Sequence, residues 1–161
     1  MRSALLLATA FALTGCFGPR IDVSPMQGFY AVTSSTSDLV VILPREDLEL
    51  MDKTDEGRCF HLESADLSVH GCFRPGEEYL GLDAYFRNTG ERPPPVDAKG
   101  SKIGEAEMLQ WQETRNGKTT AHAVAHWVKL GSWVELNVWT RADDGPRKLK
   151  SYLREVVVKK N

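Results

Sequence analysis

Asn116-Gly117 and Gly131-Ser132 cut residues 105–141 into three segments that mix apolar and polar residues in alternation. Asn-Gly tolerates the two successive left-handed residues of a type I′ turn, and a leading glycine suits type II′. Both turns join antiparallel strands with two residues, so the stretch predicts a meander of Glu105–Glu113, Thr119–Leu130 and Trp133–Arg141. Centring the turns on those dipeptides places Met108, Ala123, Ala125, Trp127, Val134, Leu136 and Val138 on one apolar face. The other face then carries the rows Glu107–His126–Asn137, Leu109–Val124–Trp139 and Trp111–His122–Arg141. A helical reading of the first two segments stays open on propensity, but it leaves two matched turns without a purpose.

Downstream, Pro146 suits the first turn of a helix. Leu149, Tyr152, Leu153 and Val156 follow at i, i+3, i+4 and i+7, one apolar stripe. Val156–Val158 reads as an extended end. Upstream, Arg58–Glu63 and Ser68–Phe73 flank Ser64-Ala65-Asp66-Leu67. A hairpin centred between Ala65 and Asp66 sets Cys59 directly across from Cys72, and His61 across from His70. Opposed Cβ atoms lie about 4.5–5.5 Å apart, close to disulfide reach. The spacing therefore predicts a Cys59–Cys72 bridge closing a loop of about 14 residues, worth roughly 3 kcal/mol on the chain-entropy account. Phe29–Val32 and Leu39–Leu43 read as short strands, Glu46–Met51 is ambiguous with a helical turn after Pro44 as the named reading, and Glu78–Arg87 reads as a further strand. Residues 90–104, with Pro93-Pro94-Pro95, read as a long loop. The expected fold class is α+β: a small antiparallel sheet whose C-terminal three-stranded meander packs against a C-terminal helix, with a disulfide-linked hairpin. Meander followed by terminal helix resembles the Mog1/PsbP-like domains over about half of the chain. The resemblance implies an architecture and no activity.

The first sixteen residues carry a different kind of information. Arg2 precedes an apolar run from Ala4 to Leu13. That run is too short for the roughly 20 residues of a spanning helix, and has the length of a secretory core. Leu13-Thr14-Gly15-Cys16 resembles the lipobox of bacterial lipoproteins. The resemblance implies a diacylglyceryl group on the Cys16 thiol, cleavage after Gly15 and acylation of the new amino terminus. Two or more acyl chains hold a protein firmly on a bilayer, at about 0.8 kcal/mol per buried CH₂. Phe17, where an aspartate would favour inner-membrane retention in Gram-negative lipoproteins, implies an outer-membrane anchor facing the periplasm. The expected organisation is a signal peptide over 1–15, a lipidated cysteine and tether over 16–27, and a single globular domain over 28–161. In an exported chain the two remaining thiols, Cys59 and Cys72, fit one structural disulfide.

Composition narrows the function classes. The chain has 20 Lys and Arg against 22 Asp and Glu, a formal charge of −2, with no basic stripe, so nucleic acid is not an expected partner. No phosphate loop, dinucleotide fingerprint, Gly-x-Ser-x-Gly or His-Glu-x-x-His occurs. His122 and His126, four apart on a strand, stand about 13 Å from one another and cannot share an ion. His61 and His70 face each other but lack an identifiable third ligand, so no metal and no cofactor is expected. The strongest candidate site is the Trp- and His-bearing sheet face, with Trp111, His122, Trp139 and Arg141 as contact anchors, residue types that concentrate binding energy. The sequence leads to a non-catalytic lipoprotein that binds another envelope or periplasmic protein: an assembly component, or a toxin or hydrolase that it neutralises. A small-ligand or metal carrier and a hydrolytic enzyme are the alternatives; the same face covered by the N-terminal strands would remove its role. Intact-mass analysis of native material should find the segment before Cys16 missing and acyl chains added; an unprocessed start methionine without lipid would refute the anchor and the compartment together.

Overall fold

The computed structural model describes residues 18–54, 57–82, 84 and 98–161. The leader, Cys16 and the triple proline lie outside the described residues. The strands are β1 (Ile21–Met26), β2 (Phe29–Ser34), β3 (Leu39–Pro44), β4 (Glu49–Thr54), β5 (Cys59–Glu63), β6 (Leu67–Pro75), β7 (Lys99–Ile103), β8 (Ala106–Arg115), β9 (Lys118–Lys129), β10 (Ser132–Thr140) and β11 (Val157–Lys160), with α1 (Gly145–Glu155) between the last two. They form two antiparallel sheets, β1-β2-β3-β11 and β4-β5-β6-β10-β9-β8-β7. The protein is therefore mostly β, not α+β. The expected meander, β8-β9-β10, is only the middle and one flank of the larger sheet. The N-terminal strands build a second sheet that β11 completes along β3.

One hydrophobic core lies between the sheets. Val134, Leu136 and Val138 of β10 point into it with Val69 and Phe73 of β6, and Ile21, Val32, Val41 and Leu43 enter from the small sheet. Period-two alternation on both sheets accounts for the segregation. Helix α1 buries Leu149, Tyr152 and Leu153 against the same core. Its first turn lies so close to β9 that a Cβ on Gly145 would stand 2.6 Å from the Cβ of Ala121. The Tyr152 hydroxyl donates to the Pro44 carbonyl at 3.3 Å, and the Gln110 amide donates to the Pro146 carbonyl at 2.7 Å. The helix is thus tied to one strand of each sheet.

Turn chemistry explains which registers match expectation. Asn116 and Gly117 have φ of 52° and 73°, the two left-handed residues of a type I′ turn, and Glu107 pairs with His126 as expected. At the next turn the positive φ, 79°, falls on Gly131, and the turn residues are Leu130 and Gly131. The glycine takes the second position rather than the first. Lys129 therefore pairs with Ser132, and His126 faces Glu135 instead of Asn137. A shift of two residues keeps every side chain on its expected face but changes all the neighbours across that junction.

Four other expectations change. Within the expected 16–27 tether, Ile21–Met26 is a strand paired with Phe29–Ser34, and Ile21 is buried. In place of a helical turn over Glu46–Met51, Glu46 and Asp47 take positive φ and the chain enters edge strand β4 at Glu49. Glu78–Arg87 is not a strand where it is described: residues 78–81 are irregular, and Leu82 and Ala84 are helical. The end of the 90–104 loop is instead β7, paired with β8.

The β5–β6 hairpin has the expected register, with Cys59 opposite Cys72 and His61 opposite His70. The backbone amide of Phe73 donates to the Arg58 carbonyl at 2.9 Å. The next pair inward, Cys59 and Cys72, is thus a non-hydrogen-bonded one, where opposed Cα atoms approach to about 4.5 Å. Their Cα atoms are 4.2 Å apart and the two form a disulfide. On the opposite side of the same strands, Gly71 lies between Phe60 and Leu136, and a Cβ there would stand 2.3 Å from Phe60 Cζ and 2.7 Å from Leu136 Cδ2. Both neighbours are fully buried. Gly71→Ala should lower the unfolding free energy by about 1–3 kcal/mol through overpacking, read as an earlier midpoint in urea; an unchanged midpoint would mean the core yields freely there.

Candidate functional site

The face of the large sheet turned away from the core is polar and aromatic, and its residues fall into rows set by the strand registers. One row runs Glu107–His126–Glu135–Cys72–Cys59. The next runs Leu109–Val124–Asn137–His70–His61–Asp52, and the third Trp111–His122–Trp139–Ser68–Glu63. Trp139 thus takes the place beside His122 that was expected for Arg141. Arg141 follows the end of β10 as an exposed residue and is not part of the row.

The first row is buried except at Glu107, which is half-buried. His126 is 0% and Glu135 2% exposed, with His126 Nε2 3.3 Å from Glu135 Oε2. Glu135 also accepts from the Asn137 amide at 2.7 Å. Tyr79, from the irregular stretch after β6, lies over them. Its ring meets His126 edge-on at 5.5 Å and Trp133 at 5.4 Å, and its hydroxyl donates to Glu107 Oε2 at 2.7 Å. Burial and the Glu107 carboxylate push the Tyr79 phenol far above its usual range. Leu82 continues the cover by packing on Leu109, Val124 and Trp111. A histidine, two carboxylates and a tyrosine have the composition of an acid–base centre. The imidazole is at zero exposure, and Tyr79 joins residues 79–82 to the sheet through its ring contact with His126 and its hydrogen bond to Glu107. Two hydrogen bonds, Asn137 to Glu135 and Tyr79 to Glu107, and the close approach of His126 to Glu135 offset part of the cost of burying these groups. Sequence reasoning missed this cluster. Glu135 was legible as a face residue, but the register put Asn137 beside His126, and nothing marks Tyr79 as a cover.

The third row stays open. Trp111, His122 and Trp139 are each half-buried. The Trp111 and His122 rings stack at 5.3 Å with planes 7° apart. Trp139 meets His61 at 5.9 Å, and His61 meets His70 edge-on at 6.5 Å. His61 Nε2 is hydrogen-bonded to Ser68 Oγ at 2.8 Å, which turns that imidazole away from the cysteines. Five rings on five strands thus fall into two groups, Trp111–His122 and Trp139–His61–His70, set side by side where Trp139 pairs with His122. Three of the four expected anchors, Trp111, His122 and Trp139, come together there.

A scan against protein-family models finds no match for this chain, and a search of the curated proteins finds no relative. The chemistry of the face has to be read from its own residues. Rigid, partly exposed aromatic rings present large contact area at small entropic cost. The Ser68 hydroxyl bonds His61, Asp52 lies opposite that histidine on β4, and among the described residues no hydrogen bond joins a carboxylate to its ring.

His122 reports on the state of the row. Burial lowers its pKa below the usual 6.5; Glu113, 4.0 Å away, opposes the shift, and Arg115 adds to it. The ring is therefore neutral at pH 7. A histidine whose folded pKa is depressed favours folding less as pH falls through the unfolded value near 6.5. Removing the Glu113 charge should lower the midpoint further. An NMR titration of the His122 ring should find it below 6.5 in the native protein and lower again in Glu113→Gln; a rise in the variant would contradict the assigned electrostatics.

Proposed function

We propose that the chain is a lipid-anchored envelope protein, held at the periplasmic side of the outer membrane through Cys16, whose folded body is a non-catalytic protein-binding module. The single observation that supports this reading is the open aromatic row: Trp111 stacked on His122 beside Trp139, flanked by His61 and His70, on the sheet face turned away from the core. Tryptophans are enriched among residues that dominate interfaces, and they work best where their rings are already fixed. Around them lie carboxylates and amides, Glu63, Asn137 and Glu113, the polar rim of a recognition patch. Three strands at 4.8 Å spacing and about 30 Å of length give on the order of 400 Å², half of what one side of a standard interface uses. Exposed Arg141, next to Trp139 at the edge of the row, extends the area.

The acyl anchor suits this role, since it confines the face to the membrane-proximal layer and raises its effective concentration for an envelope partner. The test begins with a pull-down from envelope extract, followed by titration of the recovered partner. Trp139→Ala should weaken the purified pair by at least about tenfold, the loss expected of an interface anchor. Equal capture and equal affinity in the variant would remove this face from the function.

A further inference from the structure

We infer that opening the Cys59–Cys72 bridge creates a metal site for a thiophilic cation, with Cys59, Cys72 and His70 as its ligands. The reading does not depend on the proposed protein-binding role. The two sulfurs and one His70 ring nitrogen lie within 4.8 Å of one another, and Cys72 Sγ is 4.0 Å from His70 Nε2. A tetrahedral zinc ion, with Zn–S near 2.3 Å and Zn–N near 2.0–2.1 Å, holds its donors about 3.5–3.8 Å apart. The imidazole is therefore close to its ligating distance already, and the sulfurs need only separate once they are no longer bonded to each other.

The sheet makes this arrangement. Cys59–Cys72 and His61–His70 are pairs two residues apart along the same two strands, so all four side chains share one face. Of the two histidines, only His70 approaches the sulfurs, because His61 Nε2 is held by Ser68 Oγ. Two thiolates and one imidazole suit Zn²⁺, whose three-ligand sites keep a fourth position for water. His70 is only half-buried, while the cysteines are 1% and 2% exposed, so that fourth position faces the His70 side.

The chemistry balances with a dithiol as reductant. One of its thiolates attacks a bridge sulfur, forming a mixed disulfide and expelling the other cysteine as a thiolate. Its second thiol then displaces the first cysteine, so two electrons pass to the cysteine pair and the reductant leaves as a disulfide. The ion binds both sulfurs as thiolates and the remaining thiol protons go to solvent. With the bridge closed, neither sulfur is a thiolate and the site does not exist.

The test uses the full folded chain, reduced in denaturant with a water-soluble phosphine, which does not compete for metal as a dithiol would, and refolded without oxygen. Cobalt(II) is the first probe. The reduced protein should bind one ion with the visible bands of tetrahedral thiolate coordination, and the oxidised protein should show none. His70→Ala should weaken the reduced protein's affinity by at least about tenfold, as loss of a contact in the metal shell does, while His61→Ala should leave it nearly unchanged. Zinc should raise the melting temperature of the reduced protein and not that of the oxidised one, since a ligand stabilises the state that binds it. Absence of the bands, equal affinity in His70→Ala, or a reduced chain that fails to fold with zinc present would each overturn the inference.

Discussion

Strand β10 fixes the architecture, because it pairs along its whole length on both sides. Each of its nine residues has a partner on β6 and a partner on β9. Val134, Leu136 and Val138 alternate with Glu135, Asn137 and Trp139, so the strand divides the molecule into an apolar side and a polar side. Slipping either junction by one residue would drive Glu135 into the core and turn Leu136 out to solvent. Burying an unpaired carboxylate costs several kcal/mol, which excludes the slipped registers and leaves one arrangement.

On the inner side of β10, Val134 is flanked by Trp127 and Phe73, but Leu136 and Val138 have small neighbours. Ala123 and Ala125 on β9 and Gly71 on β6 lie next to Val138 and Leu136. This low ground gives room for Phe60 over Gly71 and for α1 over Ala121. Large side chains then come from the other layers, Tyr152 from the helix and Ile21, Leu39 and Leu43 from the small sheet. The second sheet is therefore a requirement of the first. A seven-stranded sheet has more apolar face than an eleven-residue helix can cover, and β1–β3 with β11 cover the remainder.

That requirement explains what the sequence made legible. Local signals carried the hairpins: Asn116-Gly117 set its register, the Cys59 and Cys72 spacing set another, and the apolar stripe through Leu149 and Tyr152 gave α1. The Gly131 turn shifted by two because a glycine next to a serine admits two placements of the left-handed residue, and only the fit of β9 against β10 decides between them. Edge strand β7, Lys-Gly-Ser-Lys-Ile, has no alternation to detect, since it needs only to pair with β8. The two-sheet layering is a property of all the faces together, and no window of the chain contains it. For the site, Trp111, His122 and Trp139 were legible from alternation alone; Tyr79 was not, because its place over His126 depends on where an irregular stretch crosses the sheet.

The outer face changes character along its length, and burial is what changes it. Where residues 79–82 cover the sheet, His126 and Glu135 are buried side by side and Tyr79 ties the cover to Glu107. Two rows on, past Leu109 and Val124, the same alternation presents Trp111, His122 and Trp139 half-open to solvent. Towards β5 the row reaches the hairpin, where the bridge locks two strands and two imidazoles lie side by side. Similar residue types thus do different work at three places on one surface. The distinction comes from what lies above each row, and residue type alone would have assigned the chemistry to the buried end.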